Sequence, residues 1–255
     1  QLTLNWNGLT WGGTISTEAT QQLQKLLEIL NYPIELLKQV SFIPLMRGFH
    51  QPQYSITSIS PFFISDTEIA SLLATEKYLE YNVSHYLEKM EDKEFRVRFQ
   101  PGTSLFSLDT LDRSTGLGVE LVNEGYGINQ LVYLLTKTLH KDSKIICIEE
   151  PEIHLHPRTI RKLAKILGQI AKQEKYFLIS THSEPLVVSF LSLVAKGELS
   201  PSDLACYLAI KERKISRFER QQVNEKGQIK GGLRSFMEGE LEEIKDFLGI
   251  SNRDI

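Results

Sequence analysis

Cysteine is scarce: the 255 residues hold two, Cys147 and Cys206, far apart and without CxxC spacing. That excludes a disulfide scaffold and a zinc ribbon, and it fits a reducing compartment. No apolar run approaches the roughly 20 residues that span a bilayer. The first 20 residues lack the basic and apolar regions of a secretory leader, so the cytoplasm is the expected location. There is no internal period and no low-complexity tract. Neither sign of charge dominates, with 29 Lys+Arg against 32 Asp+Glu and a net charge of −3. Global charge therefore gives no reason to expect nucleic acid or an anionic membrane, which leaves only a local basic patch open. What is present is globular: 41% hydrophobic and 24% charged residues, in a chain long enough to bury a core without disulfide staples.

Residues 1–15, rich in Gly, Asn and Thr, read as loop or short strands. Over 16–30, Leu23, Leu26, Leu27 and Leu30 follow helical spacing. Pro33 and Pro44 then break regularity. Ser65-Asp66-Thr67-Glu68 has capping-box spacing and predicts a long helix with Ile69, Leu72, Leu73, Leu79, Val83, Tyr86, Leu87 and Met90 on its buried face. Residues 94–100 alternate Phe95, Val97 and Phe99 with Arg96 and Arg98, as a half-buried strand does. The arginines then occupy the solvated side, the plainer reading beside a phosphate contact.

Near Gly116 the character changes. Strands are predicted at 118–122, 144–148 and 176–179, the last two apolar enough to be buried on both faces. Helices are predicted at 127–139, from Pro157 onward and at 185–195. A hairpin over 204–210 and 215–221 and a helix over 233–248 close the chain. Strand and helix alternate, so the fold class is α/β, a mainly parallel sheet flanked by helices. The expected division is a mixed α/β arm or lobe over 1–115 and an α/β domain over 116–255.

Three segments of that second part carry chemistry. The strand Ile145-Ile146-Cys147-Ile148 ends in Glu149-Glu150-Pro151. Open α/β sheets bind ligands at the carboxyl ends of strands, and two adjacent carboxylates there are costly unless a cation or a proton offsets them. Strand alternation aims them apart, one toward Mg²⁺ and one toward a water; a solvated acidic strand end is the bland alternative. Phe177-Leu178-Ile179 ends in Ser180-Thr181-His182-Ser183, small polar residues and a histidine where phosphate ligands are expected. Val122-Asn123-Glu124-Gly125-Tyr126-Gly127 leads into a helix, and a glycine turn before a helix offers N–H groups and a positive dipole end to an anion. His154 and His156, beside Glu150 and Glu152, also invite a zinc reading.

In this order and spacing the segments resemble the C-terminal half of ABC-type, P-loop NTPase-like heads, and more closely the OLD/RecF/SMC-like ATPases. The run Glu149-Glu150-Pro151-Glu152-Ile153-His154-Leu155-His156-Pro157 is similar to the Walker B and D-loop run of that group. Ser180-Thr181-His182-Ser183 is similar to its switch-histidine loop, and Asn123-Glu124-Gly125-Tyr126-Gly127 stands where its signature motif belongs. Phe42-Ile43-Pro44-Leu45-Met46-Arg47-Gly48-Phe49 resembles a segment upstream in these proteins. The specific likeness covers residues 118–190.

The resemblance implies ATP and Mg²⁺ as cofactors, and hydrolysis coupled to the pairing of two heads that sandwich the nucleotides. Glu149 is then the Walker B acid that supports Mg²⁺, and Glu150 polarises the attacking water. His182 contacts the γ-phosphate. Asn123 and Gly125 reach across the dimer to the partner's ATP, with Gly127 beside them in the same nucleotide-binding motif. His154 falls in the D-loop, where heads touch, in preference to a zinc site. The implied partners are a second copy of the head, DNA, and an effector nuclease or other protein, in DNA repair and maintenance or antiviral defence, without a membrane.

This sequence departs from the pattern. Glu149 stands where many such heads carry Asp, and Asn123 replaces the usual signature Ser. The phosphate cradle G-x-x-x-x-G-K-[ST] is missing, since no Gly-Lys-Ser or Gly-Lys-Thr occurs. With Gln at position 1, the expectation is that the chain starts after the cradle, or that a separate chain supplies it. A degenerate head that no longer binds nucleotide is the alternative. No Toprim-type Asp-x-Asp follows His182, and no G-x-S-x-G occurs. Two rival classes stand beside the ATPase: a transporter-type nucleotide-binding domain, against which the charged stretch 16–100 speaks, and a non-catalytic module that dimerises and recruits an effector.

Overall fold

A computed structural model describes residues 2–5, 8–11, 17–60, 63 and 65–230. An antiparallel pair, β1 (Leu2–Asn5) and β2 (Gly8–Trp11), precedes the helix α1 (Thr17–Lys38). α1 continues through Pro33, against the expected break. Its half-buried positions Leu23, Leu27, Asn31, Ile34 and Lys38 keep helical spacing past the proline. One hydrogen bond that Pro33 cannot donate does not outweigh that stripe. Leu26 and Leu30, expected to face inward, are exposed.

After β3 (Val40–Ile43) and the short β4 (Tyr54–Ser55), Ser65 caps α2 (Asp66–Thr75) with the expected box. Its Oγ accepts the Glu68 N–H, and the Glu68 carboxylate accepts the Ser65 N–H. Burial pushes that carboxyl up, but hydrogen bonds from Ser60 and Ser65 outweigh it and hold the group down at about 2. The single long helix expected here is two. Thr75 turns its hydroxyl back onto the Ser71 and Leu72 carbonyls, a local bond that competes with helix continuation. Glu76 leaves helical geometry, and α3 (Lys77–Glu91) restarts. The apolar face survives the break: Ile69, Leu72, Leu73, Leu79, Val83, Leu87 and Met90 are all buried.

β6 (Leu105–Asp112) pairs antiparallel with β5 (Lys93–Phe99) along its length, while β4 and β7 (Gly118–Glu120) pair with its two ends. Phe95 is buried as expected, whereas Phe99 is 42% exposed. Arg96 forms a two-pronged pair with Glu94, and Arg98 meets Asp109, so carboxylates of the same sheet engage both arginines.

A 3₁₀ turn (Leu121–Asn123) opens into α4 (Tyr126–Leu139). The enclosed Lys137 of α4 donates to the carbonyls of Phe42 (2.8 Å) and Phe63 (3.3 Å). Lys175 donates to the carbonyls of Thr138 and His140, both at 2.7 Å, which satisfies acceptors that a helix end leaves open. Burial brings both amines down to about 8.

β8 (Ile145–Glu149) lies between β3 and β9 (Tyr176–Ser180), all parallel, in the order β3-β8-β9. The parallel α/β sheet is therefore present, but its strands are not buried on both faces as expected. Ile43, Ile146 and Ile148 are buried. On the opposite face the register aligns Phe42, Cys147 and Leu178 in one row and Ile145 with Tyr176 in the next. There Phe42 is 51%, Tyr176 71% and Leu178 69% exposed. Parallel sheets are normally covered on both faces; the described residues leave this face bare.

Contacts divide the chain into two units, residues 1–154 with 170–181, and residues 155–169 with 182–255. Helix α5 (Pro157–Ala171) begins at Pro157 as expected, and the second unit takes most of it. The same unit holds α6 (Glu184–Ala195), a 3₁₀ turn (Pro201–Asp203) and the hairpin of β10 (Cys206–Glu212) and β11 (Ile215–Gln221). The helix expected over 233–248 lies outside the described residues. Among the described residues no helix is long and apolar enough to cross a membrane.

Candidate functional site

β3 and β8 end side by side, with Ile43 opposite Ile148, and the chain beyond each strand bonds to the other. The Leu45 N–H donates to Glu149 Oε2 at 3.0 Å. Arg47, only 2% exposed, donates Nη1 to the carbonyls of Pro44 (3.0 Å) and Glu149 (2.7 Å), and Nη2 to the carbonyl of Glu150 (2.7 Å). Burial lowers the pKa of this guanidinium, an effect opposed by Glu152, Tyr133, Glu149 and Glu150 nearby. Glu150 has a left-handed φ of 39°, uncommon for a non-glycine residue. Its N–H donates to the Ser180 carbonyl at 2.8 Å. The two acids thus sit on a turn at the carboxyl end of the middle strand, bonded to both neighbouring strand ends.

Gly48 follows Arg47 in the segment after β3. Its φ is 133°, and a Cβ there would stand 2.7 Å from Asn129 Oδ1. Asn129, buried on α4, accepts the Phe49 N–H at 2.7 Å and donates Nδ2 to the carbonyls of Phe49 (2.9 Å) and Leu121 (3.1 Å). One amide therefore joins the segment after β3, the turn before α4 and α4 itself.

Gly125 is the N-cap of α4 at an ordinary φ of −55°, and Gly127 lies in the first turn. The Gly125 N–H donates to Glu124 Oε2 at 3.3 Å. Asn123 Nδ2 donates to Glu120 Oε2 at 3.1 Å. Glu124 also accepts from the Thr110 hydroxyl (2.6 Å) and from Lys93 (2.9 Å). Burial pushes the Glu124 carboxyl up, but these bonds outweigh it and hold the group below its ordinary value.

His154, at φ 61°, packs edge-on against the ring of Tyr126, with centroids 5.0 Å apart and planes at 87°. The D-loop-like and signature-like segments thus meet inside one chain. The Thr181 hydroxyl donates to Glu152 Oε1 at 2.5 Å. His182 follows Thr181 and belongs to the second unit, where Ser183 caps α6 by accepting the Leu186 N–H.

Within the first unit, then, the structure joins Glu149 to Glu150 on one pinned turn and His154 to the start of α4. Sequence reasoning quoted Arg47 but gave it no role, and it missed Asn129. Arg47 does carry a signal, a charged side chain set in an otherwise apolar run, whereas Asn129 stands beside Gln130 and has none of that kind.

Among the described residues no three His, Cys, Asp or Glu side chains converge. Mg²⁺ is held by one or two carboxylates together with water and substrate phosphates and needs no protein cage. Glu149, exposed at the strand end, offers such a carboxylate.

A family model of the AAA ATPase domain matches residues 20–187, well over half of the chain. The chain belongs to this AAA ATPase domain family. Its α/β sheet is thus that of an ATP-binding domain. No curated protein matches the sequence.

Solved structures similar to this chain include three SMC proteins. One is an SMC ATPase described for ATP-driven dimerisation and DNA-stimulated activation, at 11% identity and TM-score 0.48, covering 69% of this chain and 97% of that one. The second is a Pyrococcus furiosus Smc head with an extended coiled coil, bound to the C-terminal domain of ScpA (10% identity, TM-score 0.45, 90% and 46% covered). The third is a Pyrococcus yayanosii Smc head with a coiled coil and joint (10% identity, TM-score 0.46, 90% and 36% covered). This AAA ATPase domain spans less than half the length of the latter two.

Proposed function

We propose that this AAA ATPase domain is the C-terminal part of an ABC-type head, residues 116–255 with an arm before it, that binds and hydrolyses MgATP as two heads pair. The observation that carries the reading is the pair of acids on a pinned turn at the carboxyl end of β8, where open α/β sheets bind ligands. Glu149 serves Mg²⁺, which when bound neutralises charge on the phosphates. Glu150 orients the attacking water and accepts its proton. His182 holds the γ-phosphate side, and Asn123, Gly125, Gly127 and His154 face the second head. Phosphoryl transfer asks for this kind of positioning and charge placement more than for covalent chemistry. ATP turnover tests the reading, with Glu150→Gln as the control. Zero turnover with ATP-independent pairing supports the non-catalytic alternative, which the missing Gly-Lys-Ser/Thr favours.

The phosphate cradle, on this proposal, comes from a strand–loop–helix segment outside the residues described. Among them β3 and β9 each pair only with β8, so the outer edge of β9 is open to a further strand. A parallel strand added there ends beside Ser180, one strand away from Glu149, and delivers its loop to that end of the sheet. A connection from it back to β3 runs against the β3-to-β9 direction. Right-handed crossover then carries its helix over the bare face of Phe42, Cys147 and Leu178. With Cys206→Ser, Cys147 is expected to react with a maleimide at least about tenfold faster in this chain alone than in the assembled head, since burial blocks access. Equal rates contradict the docking.

A Cβ on Gly125 meets nothing within 4 Å, so its own fold does not require the glycine. Gly125→Asp is accordingly expected to leave the melting temperature within about 2 °C of wild type and to abolish the ATP-dependent dimer in size-exclusion chromatography. An unchanged dimer contradicts the cross-head role. Action on DNA or in antiviral defence is proposed from the motif resemblance alone, and DNA stimulation of turnover is its measurement.

A further inference from the structure

Arg47 poses an energetic question. An ion buried without a partner charge costs several kcal/mol. Yet among the described residues Arg47 makes no ion pair within 4 Å; its guanidinium nitrogens bond to three backbone carbonyls. Its Nε is buried with no hydrogen-bond partner, as is Oε2 of Glu152, the acid that acts on it most strongly. A cation kept under such conditions for packing alone would be replaced without loss by an apolar side chain.

The three bonds are not spread at random. The peptide group between Glu149 and Glu150 is held at both ends, its oxygen by Arg47 and its N–H by the Ser180 carbonyl. The next peptide oxygen, that of Glu150, is held by the other guanidinium nitrogen. Both backbone torsions of Glu150 are thus fixed, including its left-handed φ of 39°. On the far side Glu152 is anchored to Thr181. Only a planar fork can take two consecutive carbonyls and a third at once; an ammonium is a point donor on a flexible stem.

We propose that Arg47 is the positioning residue for Glu150: it holds the flanking peptides so that the carboxylate points at the attacking water. This rests on the ATPase reading. Arg47 touches neither water nor nucleotide, and its effect passes through Glu150.

The test is a double-mutant cycle on ATP turnover by the assembled head, using Arg47→Lys, Arg47→Met and Glu150→Gln. Arg47→Met is expected to lower kcat about 30-fold with KM for ATP within about twofold, as for an interaction that matters only in the transition state. Arg47→Lys restores less than about a third of the lost rate, because one ammonium does not span both peptides. In the Glu150→Gln background Arg47→Met costs less than about twofold, since residues that act as a unit are non-additive. Additive losses, or a raised KM with kcat unchanged, overturn the proposal.

Amide hydrogen exchange at Glu150 separates this inference from the ATPase reading and guards against a variant that merely misfolds. Arg47→Lys, with its melting temperature near wild type, is expected to exchange that amide at least about tenfold faster, with α4 amides unchanged. If wild type shows no turnover, the ATPase reading falls, and the exchange rate alone decides the clamp. An unchanged rate overturns it.

Discussion

Glu150→Gln is expected to cut ATP turnover by about a hundredfold or more, the loss typical when a positioned general base is removed, while ATP still binds and still holds two heads together. The reasoning starts from the backbone. Glu150 lies one residue past β8, and Glu149 ends the strand. With its φ at 39° and its flanking peptides held by Ser180 and Arg47, the residue cannot drift to another orientation. Gln keeps shape and hydrogen bonding but does not accept a proton, so binding survives and chemistry does not. Phosphate-release kinetics and size-exclusion chromatography in ATP check the two halves. Turnover within about threefold of wild type removes Glu150 from the chemistry.

Gly48→Ala is expected to destabilise the first unit by about 2–4 kcal/mol, since two penalties of the 1–3 kcal/mol class coincide. The φ of 133° suits glycine, and the new methyl would meet Asn129 Oδ1 at 2.7 Å. Asn129 cannot retreat cheaply, because its amide holds both backbone groups of Phe49 and the Leu121 carbonyl. A drop of roughly 5–12 °C in melting temperature follows for a chain of this size. Thermal unfolding by circular dichroism measures it, and an unchanged midpoint shows that the segment after β3 relaxes freely. Since that segment also carries Arg47, turnover should fall with the fold.

Much of this was legible in the sequence where the cause is local. The Ser65 capping box, the proline at the start of α5, the hairpin of β10 and β11 and the twin acids after an apolar strand all rest on neighbouring residues. What was not legible depends on partners far along the chain. Arg47 acts on carbonyls more than a hundred residues away, which no spacing reveals. The apolar strands β8 and β9 read the same whether their own chain covers both faces or another segment covers one. The run of α1 through Pro33 and the break at Glu76 were missed for a different reason. There, packing and a single Thr75 hydroxyl outweighed the rule of thumb for proline and for helix length.

Phosphate release from ATP by the assembled head, with Mg²⁺ and again with the metal chelated, tests the central claim most directly. Sustained release that requires Mg²⁺ and stops on chelation is the predicted result. ATP bound with Mg²⁺ present but no phosphate released would contradict it.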